Sequence, residues 1–211
     1  MSLDTWLAFV LACWIISLSP GAGAIASMSS GLNYGFARGY WTALGLQLGL
    51  VLQVAVVAAG VGALLATSAL AFTLIKWFGV LYLLYLALRQ WRAPVAAPDT
   101  ASLSGSFAAR PGGLLLRGFL VNAGNPKAVV FMLAVLPQFL DLQQPLATQY
   151  LIMAATMIAV DLIVMAGYTG LAARLLRLLR SPRQQRALNR TFAGLFAGAA
   201  GALTLVRRGV S

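Results

Sequence analysis

Asp161 stands in the middle of an apolar run, between Val160 and Leu162-Ile163-Val164. A carboxyl at membrane depth costs several kcal/mol unless it is paired, wetted or protonated, so such a residue points to function. Lys127 is a second outlier, about 13 residues into an apolar segment that opens near Leu114. It closes Asn125-Pro126-Lys127, an interruption matched earlier in the chain by Ser19-Pro20-Gly21-Ala22-Gly23. Proline removes a backbone donor and displaces the carbonyl of the preceding turn. In hydrocarbon the freed groups need partners, so such breaks persist only inside protein or beside a wet cavity. Ser17, Ser19, Asn122 and Asn125 are the nearby side chains able to serve. After each proline a half-helix begins, and its free N–H groups suit a carboxylate or carbonyl oxygen. Lys127 adds a full positive charge there, unless its ammonium snorkels to the cytoplasmic interface. Asp161 could pair with Lys127, bind a substrate ammonium or carry a coupled proton, and the residues leave these alternatives open. Tyr168, seven residues on, shares its helical face at roughly 10 Å. Gln47 and Gln53 are lesser candidates, able to line a site or to bond between helices.

Helices must position these groups, and the composition places them in a membrane. Of 211 residues 61% are hydrophobic and 9% charged, with mean hydropathy +0.87, whereas soluble domains carry about 25% charged residues. No charged residue occurs between Arg38 and Lys76, or between Leu142 and Asp161, and a spanning helix needs roughly 20 apolar residues. Six spans are predicted, near 5–27, 40–66, 70–91, 114–139, 147–173 and 190–207, with a tight turn at Thr67-Ser68 between the second and third. Residues 92–113, rich in Ala, Pro, Ser and Gly, read as a linker. It divides a single transmembrane domain into repeat one, about 1–91, and repeat two, about 114–211. Three spans per half make the halves inverted, and paired breaks in the first helix of each are the sequence sign of a transporter site near the midplane. A single proline would read as a kink in a packed helix. The fold class expected is an all-α integral membrane protein whose six helices form two inverted three-helix repeats, the first and fourth helices broken.

Basic residues set the orientation. The connections after the first, third and fifth spans, with their flanks, hold Arg38, four arginines from Arg89 to Arg117, and six from Arg174 to Arg190. The opposite side has Lys76, Arg207 and Arg208. Both termini are therefore expected outside the cytoplasm of an inner-membrane protein. The Arg174–Arg190 stretch is mainly topogenic and could also touch anionic headgroups. Lys76-Trp77, and Tyr82, Tyr85, Arg89 and Trp91, read as interfacial anchors of the third helix. The spacings Gly45/Gly49 and Gly194/Gly198 read as helix-packing sites.

The net charge of +11 lies in connections rather than on an interleaved polar face, so nucleic acid is not an expected partner. Cys13 is the sole cysteine and there is no histidine, which gives no disulfide framework and argues against a metal site. No cofactor is expected. An enzyme is disfavoured because Ser19 has no evident base and no paired carboxylate exists. A passive channel would want a continuous polar stripe, whereas the polar positions gather at two breaks and one aspartate. Ala22-Gly23-Ala24 resembles a signal-peptidase site, but the preceding segment carries Asp4 and no basic residue, so it is kept as a mature helix.

Several stretches together resemble the LysE/RhtB family of bacterial amino-acid exporters: Ser17-Leu18-Ser19-Pro20-Gly21, Ser30-Gly31-Leu32-Asn33-Tyr34-Gly35, Asn122 to Ala128, Phe131, Pro137-Gln138-Phe139 and Val160 to Tyr168. Leu44-Gly45-Leu46-Gln47, Lys76-Trp77, Pro182 and Ala187-Leu188-Asn189 liken it most to the homoserine/homoserine lactone efflux branch. The resemblance runs from Trp6 to about Leu203. It implies a secondary exporter of homoserine, its lactone or threonine-like solutes, working by proton antiport, with other neutral or basic amino acids or a passive small-solute channel as alternatives. The substrate-binding set then expected is Ser19, Pro20, Gly21, Asn33, Gln47, Asn122, Asn125, Pro126, Lys127 and Tyr168, with Asp161 as coupling group. Expected partners are the amino-acid solute and the lipid bilayer, with a second copy of the chain as a candidate third. Ala22 and Ala123-Gly124 are small where the family often has bulkier or hydroxyl residues, which bears on pocket size.

Overall fold

The computed structural model describes residues 1–67, 69–92, 110–141, 143–172 and 182–205. Among these residues the chain is helical throughout, with seven α-helices and no strand. They are α1 (Leu3–Leu18), α2 (Ala22–Thr67), α3 (Ala69–Trp91), α4 (Pro111–Ala123), α5 (Pro126–Val135), α6 (Leu146–Gly170) and α7 (Pro182–Leu205). A 3-10 turn, Leu136–Phe139, extends α5.

Both expected breaks are present. α1 ends at Leu18, Ser19 adopts an extended conformation, and α2 begins at Ala22. α4 ends at Ala123 with Gly124 as C-cap, and Asn125-Pro126 starts α5 with Asn125 as N-cap and proline in the first turn, where its missing N–H costs nothing. The two pieces meet at 57°.

α2 reverses at Gly35, whose φ of 74° and ψ of 172° interrupt an otherwise helical run and which only glycine adopts without strain. Residues 22–34 and 36–67 are thus two helices in one element. The Ser30 and Thr42 hydroxyls bond across the bend at 2.7 Å, and a Cβ on Gly39 would strike the Ser30 backbone. The stretch between the first two predicted spans, which end near 27 and begin near 40, is therefore a helical hairpin.

Residues 36–67 pack on α4 with backbones nearly touching. A Cβ on Gly45 would overlap the Leu115 carbonyl, one on Gly118 the Thr42 carbonyl, and one on Gly49 would lie 2.9 Å from the Phe119 oxygen. That spacing is a packing site, as read. At Gly194 and Gly198 the structure brings no such partner: an added Cβ there meets nothing within 4 Å among the described residues. The last helix also starts earlier than the sequence suggested, at Pro182, so Arg183, Arg186 and Arg190 sit in its opening turns rather than in a connection. Its polar start hid it from a search for apolar runs. The fourth begins at Pro111 rather than near 114. The linker from 93 to 109, Arg174 to Arg180, and Arg207 and Arg208 lie outside the described residues.

One core joins α1, α2, α5 and α6 through Phe9, Leu46, Met132, Leu136, Met153 and Met157. A second joins α3 to α7 through Leu83, Leu86, Phe192 and Phe196. The α3–α7 pair is tied at both ends. Lys76 Nζ donates to the Thr204 carbonyl at 2.8 Å, and Gln90 Nε2 to Asn189 Oδ1 at 2.9 Å. The outward surface is apolar, with Leu151 71% and Ile163 61% exposed, more than water tolerates over a broad patch. Among the described residues two elements are apolar and long enough to cross a membrane, Ala22–Gly60 and Leu146–Gly170, and there are three if the bent pair Pro111–Ala123 with Lys127–Phe139 counts as one span. α1 has only 16 residues, so it falls short of a span without the turns beyond its break.

Candidate functional site

The two breaks meet. α1 comes to its end against the start of α5, and Lys127 Nζ donates to the Ser19 carbonyl at 2.9 Å. The Tyr168 hydroxyl, from α6, donates to the Leu18 carbonyl at 2.7 Å. Carbonyls freed at the end of a helix need partners, and here side chains from the second half of the chain supply them. α4 is held likewise: Asn122 Nδ2 donates to the Leu46 carbonyl at 2.7 Å, and Gln53 Nε2 to the Asn122 carbonyl at 2.6 Å.

These elements enclose a cavity of about 80 Å³, polar enough and large enough for water. Ser17, Ser19, Gly21, Asn122, Asn125, Lys127 and Asp161 supply its polar wall, and Leu46, Phe131, Met132, Met157 and Met165 its apolar one. Asp161 is anchored by Gln47, whose Nε2 donates to Oδ2 at 2.7 Å and to the Ala43 carbonyl at 3.2 Å. Lys127 and Asp161 therefore share one cavity without forming an ion pair. The ammonium is held by Ser19 and the carboxylate by Gln47. Lys127 Nζ also lies 5.7 Å from the centre of the Phe196 ring, which stabilises a cation.

The breaks differ as anion sites. At α5 the Lys127 amide donates to Asn125 Oδ1, and those of Ala128 and Val129 donate to the Asn125 carbonyl. The free N–H groups expected there are thus taken by the Asn125 cap. At α2 the first bond of the turn runs from Ile25 to the Gly21 carbonyl. The amides of Gly23 and Ala24 before it have no partner among the described residues, and both residues line the cavity. Gly21 brings this turn close to Lys127, since a Cβ there would lie 3.6 Å from Nζ. An oxyanion therefore has one favourable place, between the start of α2 and Lys127. Ser19 is 3% exposed with its Oγ unpartnered among the described residues, as is Gln47 Oε1. Buried polar atoms left in this way are costly.

Of the expected residues, Ser19, Gly21, Asn122, Asn125, Lys127 and Asp161 line the cavity, and Gln47 supports it. Pro20 and Tyr168 face a neighbouring apolar recess between α1, α6 and α7. The Pro126 backbone opens α5. Asn33 is not brought in; it is exposed two residues before the Gly35 bend, with Nδ2 3.4 Å from Ser29 Oγ of its own helix.

Residues 14–207 match the family model described as LysE type translocator. The chain belongs to the LysE type translocator family. Relatives of this LysE chain match nearly its whole length. One, 42% identical over 200 residues (94% of this chain and 95% of the relative), is an "Uncharacterized membrane protein" of Vibrio cholerae. Another, 41% identical over 196 residues (93% and 94%), is the homoserine/homoserine lactone efflux protein of Salmonella typhimurium. A leucine efflux protein of Enterobacter is 28% identical over 195 residues, 92% of this chain and 90% of its own. No solved structure matches. The methionines lining the LysE cavity were not singled out from sequence, although Met157 and Met165 stand four residues either side of Asp161 and so share its face.

Proposed function

We propose that this chain is a secondary active exporter in the bacterial inner membrane, moving small amino acids and derivatives outward in exchange for protons. The observation that carries the reading is the single cavity in which both helix breaks, Lys127 and Asp161 converge. Its charges suit a zwitterion. The solute carboxylate would sit between the first turn of α2 and Lys127, and its ammonium against Asp161. Homoserine, homoserine lactone and threonine-like solutes are the cargo we assign, supported by the name of the Salmonella relative. The name of the Enterobacter relative extends the range toward leucine. Reconstituted in liposomes, the protein is expected to move homoserine against its concentration gradient when a pH gradient is imposed, and to stop when a protonophore collapses it. Movement only down the solute's own gradient would instead mark a passive channel.

The architecture we assign is six spans in two inverted halves, about 1–91 and 114–211, joined by the 92–113 linker. Its support is that the breaks of the two halves meet, and that α3, the last helix of the first half, packs on α7, the last of the second. The basic residues then put both termini outside the cytoplasm. A reporter fused at Ser211 is expected to be active only outside; activity in the cytoplasm would end the six-span assignment.

A further inference from the structure

The charges do not use up the polar wall of the central cavity. Lys127 and the first turn of α2 make the place for an oxyanion, Asp161 suits a cation, and Ser17 is a neighbour of Asp161. Ser19 Oγ is shut away from solvent. Asn122 and Asn125 remain, on either side of the second helix break. Backbone partners decide which end of each amide is spent. Asn122 Nδ2 donates to the Leu46 carbonyl at 2.7 Å; a carbonyl only accepts, so the end left over is Oδ1. Asn125 Oδ1 accepts from the Lys127 amide at 3.1 Å; an N–H only donates, so the end left over is Nδ2. Neither end has a partner among the described residues. Asn122 is 8% exposed and Asn125 half-buried, yet neither spare atom is sealed as Ser19 Oγ is. The Asn125 N–H donates to the Asn122 carbonyl at 2.9 Å, which holds the two residues in one turn. The wall at this break therefore offers one uncharged acceptor and one uncharged donor.

We propose that Asn122 and Asn125 are the specificity-determining pair of the exporter, reading a hydroxyl on the solute's side chain. The hydroxyl donates to Asn122 Oδ1 and accepts from Asn125 Nδ2. The inference rests on the export reading above and deepens it. Lys127 and Asp161 would hold the carboxylate and ammonium common to every amino acid, so they do not tell one solute from another. A hydroxyl is donor and acceptor at a single atom and matches the pair. An aliphatic side chain of the same length displaces the water from both amide ends and replaces none of its bonds, which loses affinity.

The test uses the full chain in liposomes with an imposed pH gradient, comparing homoserine with norvaline, which carries a methyl where homoserine carries its hydroxyl. Wild-type protein is expected to favour homoserine about tenfold in kcat/KM, the scale set by leaving a donor and an acceptor unpaired. Asn125→Ser keeps a capping oxygen for α5 but removes Nδ2, and is expected to abolish most of that preference. Asn125→Asp keeps the cap and the shape while turning the donor into an acceptor, and it carries the test if the serine variant does not assemble. Asn122→Leu is expected to abolish the preference as well. It also frees the Leu46 carbonyl and lowers both rates, so the ratio is the measure. A wild-type ratio near one overturns the pair, and so does a ratio that stays at the wild-type value in the variants of either residue. Wild-type protein that exports neither solute overturns the export reading together with the pair, a different result from either.

Discussion

Asp161→Asn is expected to abolish proton-driven export of homoserine while leaving folded protein in the membrane. The substitution is nearly isosteric, and the asparagine carbonyl can still accept the bond from Gln47 Nε2 that now reaches Asp161 Oδ2 at 2.7 Å. Lys127 also keeps its partner, because its ammonium rests on the Ser19 carbonyl and not on Asp161. The change therefore removes the carboxylate's charge from the cavity with little change of shape. Uphill export is expected to fall to the level of empty vesicles, with thermal stability in detergent close to wild type. Solute exchange at equal concentrations separates the two roles open to the carboxyl. Exchange that survives in the variant marks Asp161 as proton carrier; exchange that is lost marks it as the ligand of the solute ammonium. Full uphill export by the variant would remove Asp161 from the mechanism.

Lys127→Met is expected to be nearly as damaging, for two separable reasons. The ammonium caps the Ser19 carbonyl at the end of α1. Losing it leaves a buried acceptor unsatisfied, at a cost of about 1–3 kcal/mol, so a lower unfolding temperature is expected. It also removes the cation facing the free amides of Gly23 and Ala24, and with it the attraction for a solute carboxylate. The second loss has its own signature. Wild-type protein should prefer an amino acid over the corresponding amine that lacks the carboxylate, and the methionine variant should lose that preference. A variant of wild-type affinity and unchanged preference would assign Lys127 to structure alone.

The positions of these groups could be read from the sequence, but not what they touch. Asp161 and Lys127 were visible because charge in an apolar run is costly, and the two breaks because proline forfeits a helix bond. That the breaks face each other depends on how α1 and α5 approach, which local sequence does not encode. For the same reason the ammonium's partner, a backbone carbonyl in place of Asp161, could not be foreseen. The occupied start of α5 is different, since Asn-Pro is a strong helix-opening signal, with Asn capping and Pro in the first turn. That rule would have distinguished the capped break from the open one at Gly21. Glycine spacing misled for α7 because it records what a helix permits and not what lies opposite. Gly45 and Gly49 meet α4, while Gly194 and Gly198 meet nothing among the described residues. Asn33 entered only by family likeness, and its place beside the Gly35 bend follows from a hairpin that the apolar pattern does not reveal.

The near contact of residues 36–67 with α4 bears on how the chain is made. Gly45 and Gly49 fit against the backbone of Leu115, Phe119 and Ala123, which leaves the ribosome some seventy residues after Gly45 does. Until then the groove has no occupant from its own chain, and lipid tails must fill it. The first three helices are thus a half-finished intermediate during synthesis, completed by α4. Lengthening the linker should delay that completion, whereas a bulky residue at Gly45 should prevent it and send the nascent chain to quality-control proteolysis.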